Sequence, residues 1–150
     1  MSGSDEVLTI ERVSVLQRVD LFGDVPGHAL VAVARLFEEV SFEPGDRVIE
    51  RGAVEDWLYV VADGRVRVHI GERTVTETGP GGVVGEFAVL VPAPRSASVT
   101  AIEPVRLLRL RREPFEELLD ERPEIARGVI TTLARLLQAG ADAGVDAVGP

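Results

Sequence analysis

Apolar residues recur along this chain with two different rhythms, and the change of rhythm divides it into three parts. Val15, Leu16, Val19 and Phe22 fit a short helix and its exit, and "PGHALVAVARLFEEV" fits a second helix opening at Pro26. The pattern then shortens. "SFEPGDRVIERG", "DWLYVVADGRVRVHIGERTVTETG" and "SVTAIEPVRLLRLR" are alternating or β-branched runs cut by Pro-Gly, Asp-Gly and Gly-Glu punctuation. In "RVRVHI" and "RLLRLR" arginines alternate with apolar residues, which predicts antiparallel strands with one face in the core and one in water. After Arg112 the helical period returns: "EPFEELLDE" predicts a short helix, and Pro123 opens a longer one with Ile125, Val129, Leu133, Leu136 and Leu137 down one side. Two helices, a β-sandwich or small barrel, and two closing helices are the predicted order.

The ends have no capacity to build a core. Residues 1–7 read as a disordered start, 8–139 as one domain, and 140–150 ("GADAGVDAVGP") as a flexible tail or linker. A chain of 150 residues suits one such domain. No run of about 18 apolar residues and no secretory start is present, so the expected location is the cytoplasm, without membrane insertion. Cysteine is absent, which removes disulfides, thiolate metal sites and thiol nucleophiles. A net charge of −9 with no basic stripe argues against a nucleic-acid partner, yet leaves room for a small anion at a local positive site.

Residues 83–99, "VVGEFAVLVPAPRSASV", place one glutamate and one arginine inside an otherwise apolar stretch, and ionised groups persist there only when paired or when they serve a ligand. The shapes expected are strand, glycine-rich loop, a single helical turn at 86–90, loop, strand. A helical turn exposes free N–H groups, Gly85 lets a ligand approach the backbone, and Arg95 offers a planar fork suited to phosphate oxygens. Glu86 repels phosphate, so its use is to accept from neutral hydroxyls such as those of a ribose. The competing reading is a plain Glu86–Arg95 salt bridge.

This stretch resembles the phosphate-binding cassette of the cyclic nucleotide-binding domains found in catabolite activator protein, the regulatory subunits of cAMP-dependent kinase and cyclic-nucleotide-gated channels. The likeness extends upstream through "FEPGDRVIERG" and "DWLYVVADGRVRV", with Gly45, Gly52 and Gly64 at tight turns, and covers residues 15–138. It implies a mainly β fold of the α+β class: an eight-stranded antiparallel jelly-roll with N-terminal helices, a short cassette helix and two C-terminal helices. It further implies that Arg95 pairs with the cyclic phosphate and Glu86 accepts from the ribose 2'-hydroxyl. The N–H groups of Phe87, Ala88 and Ala97 complete the cradle, Gly85 permits the approach, and Ser96 reaches the phosphate or the base. Val68 and Val84 are the wall candidates, and Leu133, Arg135 or Leu136 the base cap.

The resemblance implies a non-catalytic module that senses a cyclic nucleotide, cAMP ahead of cGMP, needs no cofactor and no metal, and signals through its last helices. An attached effector or transporter domain and a homodimer are compatible with it. The alternative is a degenerate jelly-roll that serves protein contacts and binds no nucleotide. An enzyme on a similar shape, such as a metal-dependent cupin, lacks its ligands here, because the two histidines are far apart and neither belongs to an H-x-H pair. His28 and His69 read as surface residues, Trp57 as packing, and Arg106, Arg109, Arg111 and Arg112 as solvated strand-face charges.

Overall fold

A computed structural model describes residues 10–143. Helix α1 (10–16) leads into the 3-10 turn η1 (Asp20–Phe22) and helix α2 (Gly27–Ala34). Ten strands follow: β1 (Glu38–Phe42), β2 (Arg47–Ile49), β3 (Val54–Glu55), β4 (Trp57–Asp63), β5 (Val66–Ile70), β6 (Arg73–Thr78), β7 (Val83–Val84), β8 (Ala93–Pro94), β9 (Ser98–Ala101) and β10 (Val105–Arg111). Helices α3 (Arg112–Glu121) and α4 (Pro123–Ala143) close the domain.

Eight strands form two four-stranded antiparallel sheets, ordered β1-β10-β4-β7 and β2-β9-β5-β6, and β3 pairs with β8 as a short ribbon beside them. This is the expected jelly-roll with its helices at the two chain ends. The expected alternation fails on the first sheet, which is covered on both faces. Along β4, Leu58 and Val60 face the helices, and Tyr59 and Val61 face the second sheet, so "LYVV" is a continuous buried run. Strand β10 does the same with Leu108 and Leu110 on the helical side and Leu107 on the other. Two of its arginines are engaged by acidic side chains of the neighbouring strands, Arg106 by Glu39 and Asp63 and Arg109 by Glu38. Trp57 lies under two guanidinium groups, with Arg109 4.1 Å and Arg111 4.7 Å from the ring centroid.

Helix α2 ends earlier than "PGHALVAVARLFEEV" suggests. Its last turn closes at Ala34, Phe37 drops into the core at 3 % exposure, and Glu38 already pairs with Arg109 in the sheet. Burial of Phe37 and the sheet pairing outweigh the helix-permissive composition of "FEEV". Helix α4 runs on to Ala143 and so enters the stretch expected as a tail. The expected disordered start at 1–7 and the end of the tail, 144–150, lie outside the described residues.

Helix α4 is seated by its first half. Ile125 and Val129 are buried with Phe22 and Phe115, whose rings meet edge-on at 5.9 Å. Gly128 lets the helix approach the chain at Asp24 and Val25 so closely that a Cβ there would lie 2.7 Å from the Asp24 carbonyl. Thr132, also buried, donates to Asp24 Oδ2 at 2.9 Å and accepts from the Asp24 N–H at 3.3 Å, and Arg135 pairs with Asp24 at 3.2 Å. Residues 20–25 and α4 are thereby packed and hydrogen-bonded together.

Candidate functional site

The segment between β7 and β9 arches over the inner face of the second sheet and encloses a cavity of about 440 Å³. Its rim is built from Gly85, Glu86, Phe87, Ala88, Arg95, Ser96 and Ala97, and Val68 and Val84 lie in its wall, so the residues expected to form the phosphate cradle, the ribose contact and the wall meet in one place. Ile49, Thr76, Thr78, Val83 and Val99 also line it, together with the 91–94 stretch, and were not anticipated. A further hollow of about 300 Å³ lies between α1 and the first sheet. Its Arg106 is engaged by Glu39 and Asp63, and its Arg12 donates to the Phe37 carbonyl.

Arg95 is the organising side chain. It is 8 % exposed, its Nε donates to Glu55 Oε1 at 3.2 Å, and its Nη2 donates to the Trp57 carbonyl at 2.7 Å. Two bonds to two different partners fix the plane of the guanidinium, and a buried cation requires such pairing. Nη1 has no hydrogen-bond partner among the described residues. Gly85 has φ +71°, and a Cβ on it would collide with Nη1 of Arg95. Glycine is required there twice over, for the left-handed backbone and for the space the guanidinium occupies.

Glu86 does not pair with Arg95. Its Oε1 accepts from the Leu21 N–H at 2.9 Å, which ties the cavity rim to η1. Burial raises the Glu86 pKa above its ordinary 4.5; the Leu21 bond opposes this, and the nearby Asp20 charge adds to it. Residues 86–90 form hydrogen-bonded turns and not the short helix expected of the cassette, with Leu90 N–H donating to the Phe87 carbonyl at 3.0 Å and Val91 N–H to the same oxygen at 2.9 Å. The Ala88 N–H, expected to be free, donates to the Gly85 carbonyl at 3.1 Å, because the turn closes one residue earlier than expected. The N–H groups of Phe87 and Ala97 have no acceptor among the described residues.

The expected base caps are elsewhere. Arg135 is drawn to Asp24, Leu133 packs against the helical core, and Leu136 is 41 % exposed; none of the three lines the cavity. His69 is not a surface residue: it is 3 % exposed, with Nδ1 2.8 Å from the Gly71 carbonyl and Nε2 2.8 Å from Thr100 Oγ1. No cluster of three or more metal-ligating side chains occurs among the described residues.

A family profile described as the cyclic nucleotide-binding domain matches residues 39–122. The "CRP-like cAMP-activated global transcriptional regulator" of Mycobacterium tuberculosis is 31 % identical over 131 residues, covering 83 % of this chain and 58 % of that protein, so the chain spans little more than half of this relative. Among solved structures, the N-terminal domain of a transcriptional regulator from Streptomyces coelicolor superposes with a TM-score of 0.81 at 32 % identity, covering 87 % of this chain and 95 % of that one. The regulatory domain of Toxoplasma gondii PKA, co-crystallised with cAMP, superposes with a TM-score of 0.68 at 30 % identity over 73 % of this chain and 44 % of its own. With its jelly-roll, its cassette and these relatives, the chain belongs to the cyclic nucleotide-binding domain family.

Proposed function

We propose that this domain is a non-catalytic sensor of a cyclic nucleoside monophosphate, cAMP in the first place, whose occupancy is transmitted through α4. The observation that carries the reading is the guanidinium of Arg95, buried and held by Glu55 and Trp57 with Nη1 left unbonded beside Gly85. A preorganised cation at the end of a largely apolar cavity suits one small anion with an apolar body.

In this reading Nη1 of Arg95 and the N–H groups of Phe87 and Ala97 hold the cyclic phosphate, with Ser96 beside them. Ala88 joins by exchanging the Gly85 carbonyl for a phosphate oxygen. Glu86 accepts from the ribose 2'-hydroxyl, with Oε2 available while Oε1 holds Leu21. Val68 and Val84 receive the apolar faces of the ligand. Glu86 lies one hydrogen bond from η1, and η1 is packed against α4, so a change at the ribose has a short physical path to the last helix.

Thermal melting with cAMP, cGMP, cCMP and cUMP tests the reading, because a ligand that binds only the folded state raises the midpoint with concentration. Saturable upward shifts, largest with cAMP, are expected. No shift with any of the four at millimolar concentration contradicts it.

A further inference from the structure

The hollow of about 300 Å³ under α1 lies on the helical face of the first sheet, the face turned away from the second sheet and its cavity. That volume is at the low end of small-molecule sites. Its floor is apolar: Leu108 of β10 is buried at 2 % exposure, and Ala62 of β4 and Val15 of α1 are half-buried beside it. Its rim is charged. The Arg106 guanidinium is already engaged by Glu39 and Asp63. Arg12 and Arg18 differ, since neither meets a carboxylate among the described residues. Arg12 donates from Nη1 to the Phe37 carbonyl at 3.0 Å, and the Arg18 side chain makes no hydrogen bond to the described residues. Arg18 nevertheless has a place to lie: Gly81 has φ +88°, and a Cβ on it would stand 3.5 Å from Arg18 Cδ and 3.7 Å from Nη1, so the arginine is laid against the 79–82 loop.

Three arginines and two glutamates, Glu11 and Glu39, line the hollow, which leaves it one positive charge in a chain of net charge −9. An apolar floor under an uncompensated cation suits an amphiphile with a single negative charge; a dianion overcharges the rim, and a cation is repelled. We propose that the hollow is a second ligand site, independent of what the larger cavity binds, for a small amphiphilic carboxylate. The carboxylate lies on Arg12 and Arg18, and its short apolar chain lies on Val15, Ala62 and Leu108. Occupancy ties α1 to the sheet, because the head is held by the helix and the chain by β4 and β10.

The test titrates octanoate into the full chain and follows the backbone amide shifts by NMR. Octanol, with a chain and no charge, and inorganic phosphate, with charge and no chain, are titrated alongside. Saturable octanoate shifts are expected in residues 11–18, 62 and 106–108, with both controls binding more weakly. Arg18→Gln should weaken octanoate about 2- to 10-fold, the range of one lost charge-assisted bond at a part-exposed site. Ala62→Leu, which fills the floor, should abolish the saturable shifts while a melting curve shows it folded. Octanoate without saturable shifts at these residues at millimolar concentration overturns the proposal, as do shifts confined to residues 83–97, which place the probe in the larger cavity. Octanol binding as tightly as octanoate, or unchanged affinity in Arg18→Gln, overturns it equally.

Discussion

Glu86 accepts a hydrogen bond from the backbone N–H of Leu21, 65 residues away in the chain and 2.9 Å away in space. One carboxylate thus belongs to both the cavity rim and the N-terminal turn, and its burial raises its pKa from the ordinary 4.5. A folded-state value above the unfolded one means that the native state holds the proton more tightly. The corresponding stability is fully present below about pH 4.5 and is lost as pH rises through the higher folded value. Glu86→Gln removes this titration while retaining an acceptor for Leu21. Denaturant melts at a series of pH values should show the variant losing less stability than wild type as pH rises above 4.5. Parallel profiles would count against a desolvated carboxylate at this position.

Ribose recognition gives the same side chain a second test. Wild type should prefer cAMP to its 2'-deoxy analogue by about 1 to 3 kcal/mol, since a buried acceptor without its donor remains unsatisfied. The Glu86→Gln variant should show a smaller preference. Equal wild-type affinity for the two ligands would confine Glu86 to its bond with Leu21.

Gly85→Ala should be disproportionately damaging for a single methyl. The left-handed φ of +71° costs an alanine of order 1 to 3 kcal/mol, and the methyl would meet Nη1 of Arg95. Nucleotide affinity should fall about as far as on removal of the guanidinium. Unchanged binding by Gly85→Ala would show that the position of Nη1 is not what the ligand reads.

Much of this site was legible because the cassette is local. Gly85, Glu86 and Arg95 fall within one short stretch whose charges demand an explanation, and the structure brings them to one cavity. Glu55, the carboxylate partner of Arg95, was not legible, because it reaches the arginine only through the pairing of β3 with β8, 40 residues on in the chain. Thr76 and Thr78 were hidden for a related reason: which hydroxyls of "RTVTET" face inward depends on the shift opposite His69. The end of α2 and the burial of His69 likewise depend on sheet packing and not on local preference.

Because Ile125 and Val129 are core residues, α4 is joined to the fold by its first half, and its response to ligand should be a change of local opening. Hydrogen exchange in residues 123–138 should slow on cAMP addition, with little change around Val48 and Val60. Thr132→Val, which removes both bonds to Asp24, should blunt the slowing in α4 without abolishing binding. Exchange in α4 indifferent to saturating cAMP would make the domain a passive nucleotide holder.

The central claim is that Arg95, fixed by Glu55 and Trp57, holds a cyclic phosphate. Calorimetric titration of cAMP into wild type and Arg95→Ala tests it most directly, with a melting curve to confirm that both are folded. The account predicts saturable binding by wild type and a loss of about 2 to 5 kcal/mol in the variant, the cost of removing a buried charge-assisted partner. Equal affinity of the two folded proteins for cAMP would contradict it.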